Sequence, residues 1–517
     1  LENLATDRER FLALGSVPEE EGGFNMTALG LRSSRYHNGV SRIHGAVASS
    51  MESYIWPEIP EEENPLGYVT NGVHVPTFLA REWVGYFDMH FGAQWRRELL
   101  NESFWQEGIE RLPDHSFWST RMTLKSQLFD VARGRLIPQL HRQGATQAQR
   151  DRLTRYLDPD RSDILTIGFA RRFATYKRAT LLFTDPERLA RLVNDADRPV
   201  VFIFAGKAHP NDEPGQHLIQ VLHDFSRRPE FEGKIILLEG YDIALARKLV
   251  MGVDVWLNTP EYPKEASGTS GQKAGINGAL NLSVLDGWWD EGYNKHNGWA
   301  IPAHSPDLEA DYRNREEATE LFELLENEVV PSYYHRDGHG YSKEWVQRSK
   351  ASVKSLIPRF NAQRMLMDYV RNYYGPASRH YRRLSKNDGA AAQALADWKA
   401  RIAEAWPGVS LEPRECDDQV ITSGESLPIT VGAHLNGLSA QDVRVECLVG
   451  ETDDYGTFHT KERHGLRATG KVREDGTTLF HLDLQPSLPG LQYLQIRMFP
   501  YHADLGHLLE TGCMVWL

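Results

Sequence analysis

One lysine, Lys273, lies in a stretch of the chain made almost entirely of small residues. Residues 265–280 read EASGTSGQKAGINGAL. Thr269 and Ser270 are residue types that begin helices, and a helix starting at Thr269 would place Lys273 one turn later on the same face. Free N–H groups at a helix start, together with glycines, bind phosphate oxygens. A lysine beside such a cradle is suited to pairing with a phosphate or to forming a Schiff base with an aldehyde cofactor.

The same stretch also has a purely structural explanation. Small residues allow helices to pack closely, and Lys273 would then point into solvent. Glycine-rich stretches give false positives as ligand motifs. This stretch alone leaves both explanations open, and other parts of the chain have to decide between them.

Four cations lie close together in a second stretch, residues 170–182, which read ARRFATYKRATLL. Arg171 and Arg172 precede a predicted helix whose first turn contains Lys177 and Arg178. Cations at a helix N-terminus oppose the helix dipole unless an anion is bound there. In an acidic chain this crowding indicates a ligand anion, and a solvated basic face is the alternative.

Short apolar runs in the middle of the chain predict the elements that position these cations. They are typical of strands buried on both faces, and helical patterns separate them: DILTIGFA, RPVVFIFAG, GKIILLEG and VDVWLN. This alternation predicts a doubly wound parallel sheet, whose ligand crevice lies at the carboxyl ends of the strands. The cationic stretch follows the first run, and Gly206 and Lys207 follow the second, so we expect both at one edge of the sheet.

Length and composition predict more than one domain, because 517 residues exceed the roughly 250–300 that a single core supports. Residues 1–155 contain helical stretches rich in Trp and Phe. Residues 156–384 hold the predicted sheet and its trailing helices. Residues 385–517 contain a connecting helix and an all-β sandwich, whose predicted strands are SLPITVGAHL, DVRVECLVG, TTLFHLDLQ and LQYLQIRMFP.

Charge and cysteine content exclude several function classes. The net charge is −13, which repels nucleic acid and anionic membranes over most of the surface. Cys416, Cys447 and Cys513 are sparse and lack CxxC spacing, so neither a disulfide framework nor a metal site is expected. No apolar run is long enough for a membrane span, and no secretion signal is present, so a cytoplasmic protein is expected.

Several long blocks, in the same order, resemble the glycogen (α-glucan) phosphorylases, especially their short bacterial and archaeal branch. The blocks fall within about residues 25–375 and read YVTNGVHVPTF, GFARRFATYKRA, FAGKAHP and EASGTSGQKAGINGALNLSVLDGWWDEGYNKHNGWAI. The resemblance implies a glycosyltransferase-B-like α/β fold with two doubly wound Rossmann domains. The family's N-terminal portion has no match here, and the chain begins at Leu1. An N-terminally truncated fragment, with an incomplete first domain, is therefore expected.

The resemblance also implies a cofactor and a reaction. Pyridoxal 5′-phosphate would be held on Lys273, and its phosphate would relay a proton while orthophosphate cleaves the terminal glucosyl unit of an α-1,4-glucan. Glucose 1-phosphate would leave with retained configuration. The glucan could be glycogen, starch or maltodextrin, and a homo-oligomer is one option for assembly.

Residue roles follow from the matching positions for both phosphates. Arg172 and Lys177 would hold the substrate phosphate and Arg171 the cofactor phosphate, because charge-assisted contacts offset the repulsion between two phosphates. The remaining cofactor contacts would come from Thr269, Ser270 and Tyr241.

The resemblance implies a separate group of residues that would bind the glucosyl unit. Glu265 would accept hydrogen bonds from glucosyl hydroxyls, Ser267 and Gly268 would donate backbone N–H groups, and His74 would lie near the 6-hydroxyl. Lys207 is a further candidate for substrate binding.

Two other functions remain as alternatives. A nucleotide-sugar glycosyltransferase of the same fold also needs cations for phosphate, but it does not need Lys273 to carry a cofactor. A non-catalytic glucan-binding protein could use its sandwich and its 13 Trp residues for ring stacking. One departure from the family is Gln272, which stands where Met is usual and should affect packing more than chemistry.

Overall fold

The computed structural model of the protein describes residues 7–18, 23–336, 338, 340–412, 422, 424–453, 456–485, 487 and 489–517. Cys416 lies outside these residues. The chain forms two compact units. The central unit consists of Gly39–Gly45 and Tyr68–Tyr369, and the terminal unit of Leu1–Asn38, Ala46–Gly67 and Val370–Leu517.

The strands and α-helices are numbered in chain order. The strands are β1 (His37–Gly39), β2 (Leu66–Tyr68), β3 (Leu165–Ala170), β4 (Val200–Ala205), β5 (Ile235–Leu238), β6 (Val255–Asn258), β7 (Leu280–Val284), β8 (Gly298–Ile301), β9 (Ser410–Glu412), β10 (Leu427–His434), β11 (Val443–Thr452), β12 (Phe458–Val472), β13 (Thr478–Leu484), β14 (Tyr493–Pro500) and β15 (Val515–Trp516). The α-helices are α1 (Arg8–Leu14), α2 (Met26–Ser33), α3 (Arg42–Met51), α4 (Val75–Phe78), α5 (Arg81–Phe91), α6 (Glu102–Glu110), α7 (Asp114–Arg142), α8 (Gln147–Thr154), α9 (Pro186–Val193), α10 (Glu213–Ser226), α11 (Ile243–Gly252), α12 (Thr269–Gly275), α13 (Trp289–Gly292), α14 (Ala310–Leu324), α15 (Val330–Tyr334), α16 (Lys343–Arg359), α17 (Ala362–Tyr369), α18 (Gly375–Leu384) and α19 (Ala390–Ala405).

A six-stranded parallel sheet organises the central unit. Its strand order is β5-β4-β3-β6-β7-β8, so the chain builds outward from β3 on one side and then returns to build outward from β6 on the other. All five strand pairs are parallel. The doubly wound sheet predicted from the apolar runs is confirmed, and its order reverses between β3 and β6. Ligands bind beside this switch point in folds of this kind.

Each face of the sheet has its own hydrophobic core. Along β4, successive side chains alternate between the two cores: Val200, Phe202 and Phe204 belong to one, and Val201, Ile203 and Ala205 to the other. All six residues of β4 are buried, because helices cover both faces. This is why the strand reads as a continuous apolar run rather than an alternating one.

A buried ion pair links helix α7 to the sheet at the opposite end from the candidate site. Lys125 Nζ lies 2.6 Å from Asp254 Oδ2 and also donates to the Ile164 carbonyl oxygen at 3.0 Å and the Tyr333 hydroxyl at 2.6 Å. Asp254 Oδ2 accepts the Thr166 N–H as well, at 2.8 Å. Burial lowers the pKa of Lys125 to about 8 despite the attraction of Asp254. The pair fixes α7 against β3 and β6.

The terminal unit contains a seven-stranded antiparallel sheet of order β15-β14-β11-β12-β13-β10-β9. The long strand β12 is shared: its first part pairs with β11, and its last part pairs with β13. Inward residues of β10, β11, β13 and β14 join one face of α19 in a single core. The expected all-β domain after a connecting helix is confirmed.

The boundaries of the two compact units differ from the domain boundaries predicted from the sequence. The units do not follow the predicted segments 1–155, 156–384 and 385–517, and that three-part division stays a prediction.

The prediction of a helix whose first turn contains Lys177 and Arg178 is wrong. Thr175–Lys177 is a single 3₁₀ turn, and Arg178 adopts a left-handed conformation at φ 45°. Among the described residues, no helix has the length and apolarity needed to cross a membrane.

Candidate active site at the switch point of the parallel sheet

The candidate site is built from two loops that leave the sheet on either side of its switch point. Strand β3 ends at Ala170 and leads directly into Arg171. The neighbouring strand β6 ends at Asn258 and leads to the segment that carries Glu265 and Lys273. Because the strands are parallel, their carboxyl ends meet at one edge. The two motifs singled out in the sequence therefore face the same crevice.

Glu265 joins the two loops. Its Oε2 accepts hydrogen bonds from Arg171 Nη2 at 2.6 Å and from Lys177 Nζ at 2.9 Å. All three side chains are buried. Burial alone would raise the pKa of Glu265, but the charges of Arg171 and Lys177 outweigh it and lower that pKa. In the described part of the chain, Oε1 of Glu265 has no hydrogen-bond partner, so it can accept one from a ligand.

The Arg171 guanidinium has unused donors in a buried position. Its Nε and Nη1 have no hydrogen-bond partner among the described residues. Buried polar groups are almost always paired, and each of these two nitrogens can donate a charge-assisted hydrogen bond to an oxygen of an anion. Gly206 allows the loop to run this way, because a Cβ there would lie 2.1 Å from the Arg171 carbonyl oxygen. The unpaired donors of Arg171 are suited to an anion.

Two of the other three cations in the second stretch pair with carboxylates of the protein. Lys177 pairs with Glu265, and Arg178 pairs with Glu317 and donates to the carbonyl oxygens of Thr259 and Pro260. The argument from a helix start is wrong for these two, because no α-helix begins there.

Helix α12 begins at Thr269, as the sequence predicts. Its N-cap is Gly268 at φ 82°, a left-handed conformation that favours glycine, so no side chain caps the first turn. A Cβ at Gly271 would lie 2.4 Å from Asn281 Oδ1, and one at Gly275 would lie 2.2 Å from Leu356 Cδ1. Close packing thus explains these two small residues, while Gly268 leaves the helix start open.

Lys273 does not extend into bulk solvent. It is half-buried, and its Nζ lies 4.6 Å from the centroid of the Phe78 ring. Burial lowers the pKa of Lys273. Among the described residues, no carboxylate pairs with it. The neutral form of an amine is its nucleophilic form, and burial makes that form easier to reach at Lys273 than at an exposed lysine.

The remaining cofactor and sugar candidates lie around these groups. Ser267 Oγ is buried and has no hydrogen-bond partner in the described parts of the chain, and Ser270 Oγ accepts from Trp256 Nε1 at 3.2 Å. Tyr241 is half-buried; burial raises its pKa against the opposing charge of Arg171.

Three predicted residues are exposed and have no contact with the Glu265 cluster within the described chain: Arg172, Lys207 and His74. His74 Nδ1 lies 2.7 Å from Thr77 Oγ1. The residue is the N-cap of the short helix α4, which ends at Phe78. The carbonyl oxygen of Lys207 accepts the Phe173 N–H.

The sequence reasoning missed Asp286, which contacts the Glu265 segment through its carboxylate. Asp286 Oδ2 accepts the Glu265 N–H at 2.9 Å. The signal was present as an Asp-Gly pair directly after an apolar run, a turn dipeptide at the carboxyl end of β7. Gln272 is fully buried and donates to the Asn71 carbonyl oxygen at 3.0 Å.

A doubly wound sheet with the buried cluster of Arg171, Lys177 and Glu265 at its switch point, and a half-buried lysine on helix α12, defines an α/β protein with a candidate ligand site at that edge. Comparison with known proteins shows the family. Residues 2–290 match the carbohydrate phosphorylase family, and residues 406–517 match the glycogen phosphorylase C-terminal domain. The chain therefore belongs to the carbohydrate phosphorylase family.

Individual relatives cover most of the chain. It is 39% identical over 516 residues to maltodextrin phosphorylase of Thermococcus litoralis and 38% identical over 506 residues to glycogen phosphorylase of Mycobacterium bovis. These matches cover 98% of the chain but 59% and 58% of the relatives. Glycogen phosphorylase of Aquifex aeolicus is 44% identical over 369 residues, which cover 71% of the chain and 52% of that protein.

Proposed function

We propose that the central unit holds the phosphorolysis site of an α-glucan phosphorylase, with pyridoxal 5′-phosphate bound through Lys273. Family membership supports the reaction class, and the names of the relatives indicate glycogen or maltodextrin as the glucan. The terminal glucosyl unit is transferred to orthophosphate, and glucose 1-phosphate is released with its configuration retained. A cytoplasmic location is in keeping with Cys513, which forms no disulfide among the described residues.

The residues around Lys273 fit this cofactor. An aldehyde needs a neutral, unpaired amine, and burial lowers the pKa of Lys273 while no carboxylate in the described chain pairs with it. The first N–H groups of α12, at Thr269 and Ser270, have no side-chain cap and need an acceptor from elsewhere. Arg171 has two buried N–H groups with the same need.

Both phosphates are held by cations from the loop after β3. When bound, pyridoxal phosphate supplies a phosphate group that exchanges a proton with the substrate phosphate. The unpaired donors of Arg171 would bind the cofactor phosphate, and Tyr241, whose pKa is affected by the charge of Arg171, would lie beside the cofactor. Lys177 uses one of its three donors for Glu265 and keeps the others for orthophosphate. Arg172 is exposed at the same loop and binds orthophosphate from the solvent side.

The sugar is oriented by the segment before α12. Glu265 accepts a glucosyl hydroxyl on Oε1, while its Oε2 stays fixed by Arg171 and Lys177. The backbone N–H groups of Ser267 and Gly268 donate to further hydroxyls. His74 and Lys207 complete the substrate contacts.

The observation that carries the proposal is the buried Arg171 guanidinium, which shares Glu265 with Lys177 yet keeps two donors free. Among the described residues, Arg313, Arg336 and Arg348 each leave one buried Nε unpaired, whereas Arg171 leaves two nitrogens unpaired. The donors of Arg178, on the same loop, are satisfied by the protein. The free donors lie at the switch point, on the loop next to the one that leads to Lys273.

The test is an assay of the protein loaded with pyridoxal phosphate, with maltodextrin and orthophosphate as substrates. We expect release of glucose 1-phosphate that depends on orthophosphate. Arg172→Ala should weaken orthophosphate use by tens to hundreds of fold and leave the cofactor bound, because a charge-assisted contact is worth about 1.5–3 kcal/mol. Glucan breakdown that does not need orthophosphate would contradict the proposal, and unchanged kinetics in Arg172→Ala would contradict the role of Arg172.

A further inference from the structure

The segment directly after β7 makes close contacts with the segment that carries Glu265. Asp286 Oδ2 accepts the Glu265 N–H at 2.9 Å, and Asp286 Oδ1 accepts the Gly287 N–H at 2.7 Å. The Trp288 N–H donates to the Ser267 carbonyl oxygen at 2.9 Å. Residues 286–288, which we call the template, therefore bind the backbone of residues 265–267 at both ends.

Gly287 brings the two segments into direct contact. A Cβ there would lie 2.5 Å from the Ser267 carbonyl oxygen and 2.8 Å from the Glu265 carbonyl oxygen, both of them backbone atoms. Its φ is +55°, in the left-handed region. Only a residue without a side chain allows the template to approach residues 265–268 this closely.

The other side of the same segment is also fixed. Ser41, which is fully buried, donates from its Oγ to the Ala266 carbonyl oxygen at 2.7 Å. The backbone of residues 265–267 therefore has a defined position before any ligand binds. The carboxylate of Glu265 is held by its hydrogen bonds to Arg171 and Lys177. The fixed backbone and these two cations together determine the position of Glu265 Oε1.

We propose that the template is the positioning element for sugar binding, and that Asp286 is a positioning residue that acts through Glu265. This inference rests on the proposed function, in which residues 265–268 bind the glucosyl unit. Displacing a binding group by about 1 Å costs up to a hundredfold, so the effect of moving these residues is measurable. Asp286 itself touches no substrate in this scheme, because its two oxygens are occupied by backbone N–H groups.

The experiment compares Gly287→Ala with Gly144→Ala in the protein loaded with pyridoxal phosphate. Gly144 also has a positive φ, 78°, but has no neighbour within 4 Å of the added Cβ, so it reports backbone strain without collision. We expect Gly287→Ala to weaken glucose 1-phosphate binding, measured by calorimetry, by about tenfold to a hundredfold. Cofactor occupancy, measured by absorbance, should stay as in the wild type, and Gly144→Ala should bind glucose 1-phosphate normally.

A second variant covers the case in which Gly287→Ala fails to fold. Asp286→Asn keeps the shape of the side chain, but its amide can accept only one of the two N–H groups. We expect weaker glucose 1-phosphate binding, unchanged cofactor occupancy and faster hydrogen exchange in the peptide covering residues 265–268. The inference is overturned if a folded Asp286→Asn protein binds glucose 1-phosphate with wild-type affinity. It is also overturned if the variant loses cofactor to the same extent as it loses glucose 1-phosphate binding. A wild-type protein that takes up neither ligand contradicts the proposed function, and the inference falls with it.

Discussion

At the scale of single residues, Glu265 is the group on which two buried cations converge. Arg171 and Lys177 both donate to its Oε2, and the three side chains come from two loops separated by about ninety residues of sequence. A single carboxylate cannot neutralise two cations, so the cluster carries an excess positive charge. That excess is what a phosphate ligand would offset.

Replacing Glu265 with Gln removes the only carboxylate that pairs with the two cations within the described chain. We expect the free energy of unfolding to fall by about 3–5 kcal/mol, because breaking a buried pair leaves uncompensated charge. Orthophosphate should restore more stability to this variant than to the wild type. Urea denaturation with and without phosphate measures both effects.

A matched control is Glu326→Gln, which breaks a partly exposed pair with Arg188. Exposed pairs contribute about 0–1 kcal/mol, so this change should be small. Equal losses in the two variants, or no response to phosphate in Glu265→Gln, would contradict the charge excess at the site.

Asp286 gives the site a dependence of stability on pH. Burial raises its pKa from 3.8 to about 7, against the two backbone N–H groups that favour the charged form. Between these pH values the folded protein binds more protons at Asp286 than the unfolded chain. The contribution of Asp286 to the free energy of unfolding therefore falls as pH rises from about 4 to about 7 and levels off above that.

Asp286→Asn removes this titration, because asparagine stays neutral. The stability of the variant relative to the wild type should rise with pH across that window, by at most about 1.4 kcal/mol per pH unit. Thermal or urea unfolding from pH 5 to pH 8 measures the difference. A difference that does not change with pH would show that Asp286 titrates normally.

At the scale of elements, the ends of β3 and β4 fix the position of Arg171. The Arg171 N–H donates to the Ala205 carbonyl oxygen at 3.1 Å, and the Phe173 N–H donates to the Lys207 carbonyl oxygen at 3.0 Å, so the loop after β3 runs along the loop after β4. Gly206 lies between these bonds. The loop can hold Arg171 in place only while residue 206 has no side chain.

Gly206→Ala tests this dependence. The added Cβ would lie 2.1 Å from the Arg171 carbonyl oxygen, so we expect a loss of about 1–3 kcal/mol in the free energy of unfolding and weaker pyridoxal phosphate binding. Gly134→Ala is the control, because its Cβ meets nothing within 4 Å in the middle of α7. It should stabilise the protein by about 0.5–1 kcal/mol. Equal stability of the two variants in urea denaturation would contradict the argument.

The sequence predicted elements where burial imposes a pattern and missed them where it does not. The strands β3 to β6 were found because both faces are buried and nearly all of their residues are apolar. The longest strand, β12, was not predicted, because its residues are mostly exposed and polar and so lack an apolar pattern. Its hydrogen bonds come from two different neighbouring strands, β11 and β13. Likewise Lys273 could be found from its neighbours in sequence, whereas the Lys177–Glu265 and Arg178–Glu317 pairs depend on tertiary folding.

At the scale of the whole molecule, buried charges hold the central unit together at both ends of its sheet. Arg171, Lys177 and Glu265 lie at the carboxyl edge, and Lys125 and Asp254 at the opposite one. The first cluster has unused donors, while Lys125 donates to three oxygens of the protein itself. The first is therefore suited to a ligand, and the second to stability.

Lys125→Met should lower the free energy of unfolding by about 3–5 kcal/mol, because it leaves Asp254 buried without its partner. The double variant Lys125→Met with Asp254→Asn should recover part of the loss, since no charge remains buried. Calorimetric unfolding of both proteins gives the comparison. A double variant less stable than the single one would show that the pair is not the source of the effect.

The most direct test of the proposed cofactor site is chemical. The protein is incubated with pyridoxal 5′-phosphate, reduced with borohydride, digested and mapped by mass spectrometry, with Lys273→Ala as the control. We expect one stoichiometric label on the peptide that contains Lys273 and none in the control. A label on other lysines, or an unlabelled Lys273 peptide, would contradict the assignment of the cofactor and of the phosphorolysis site built around it.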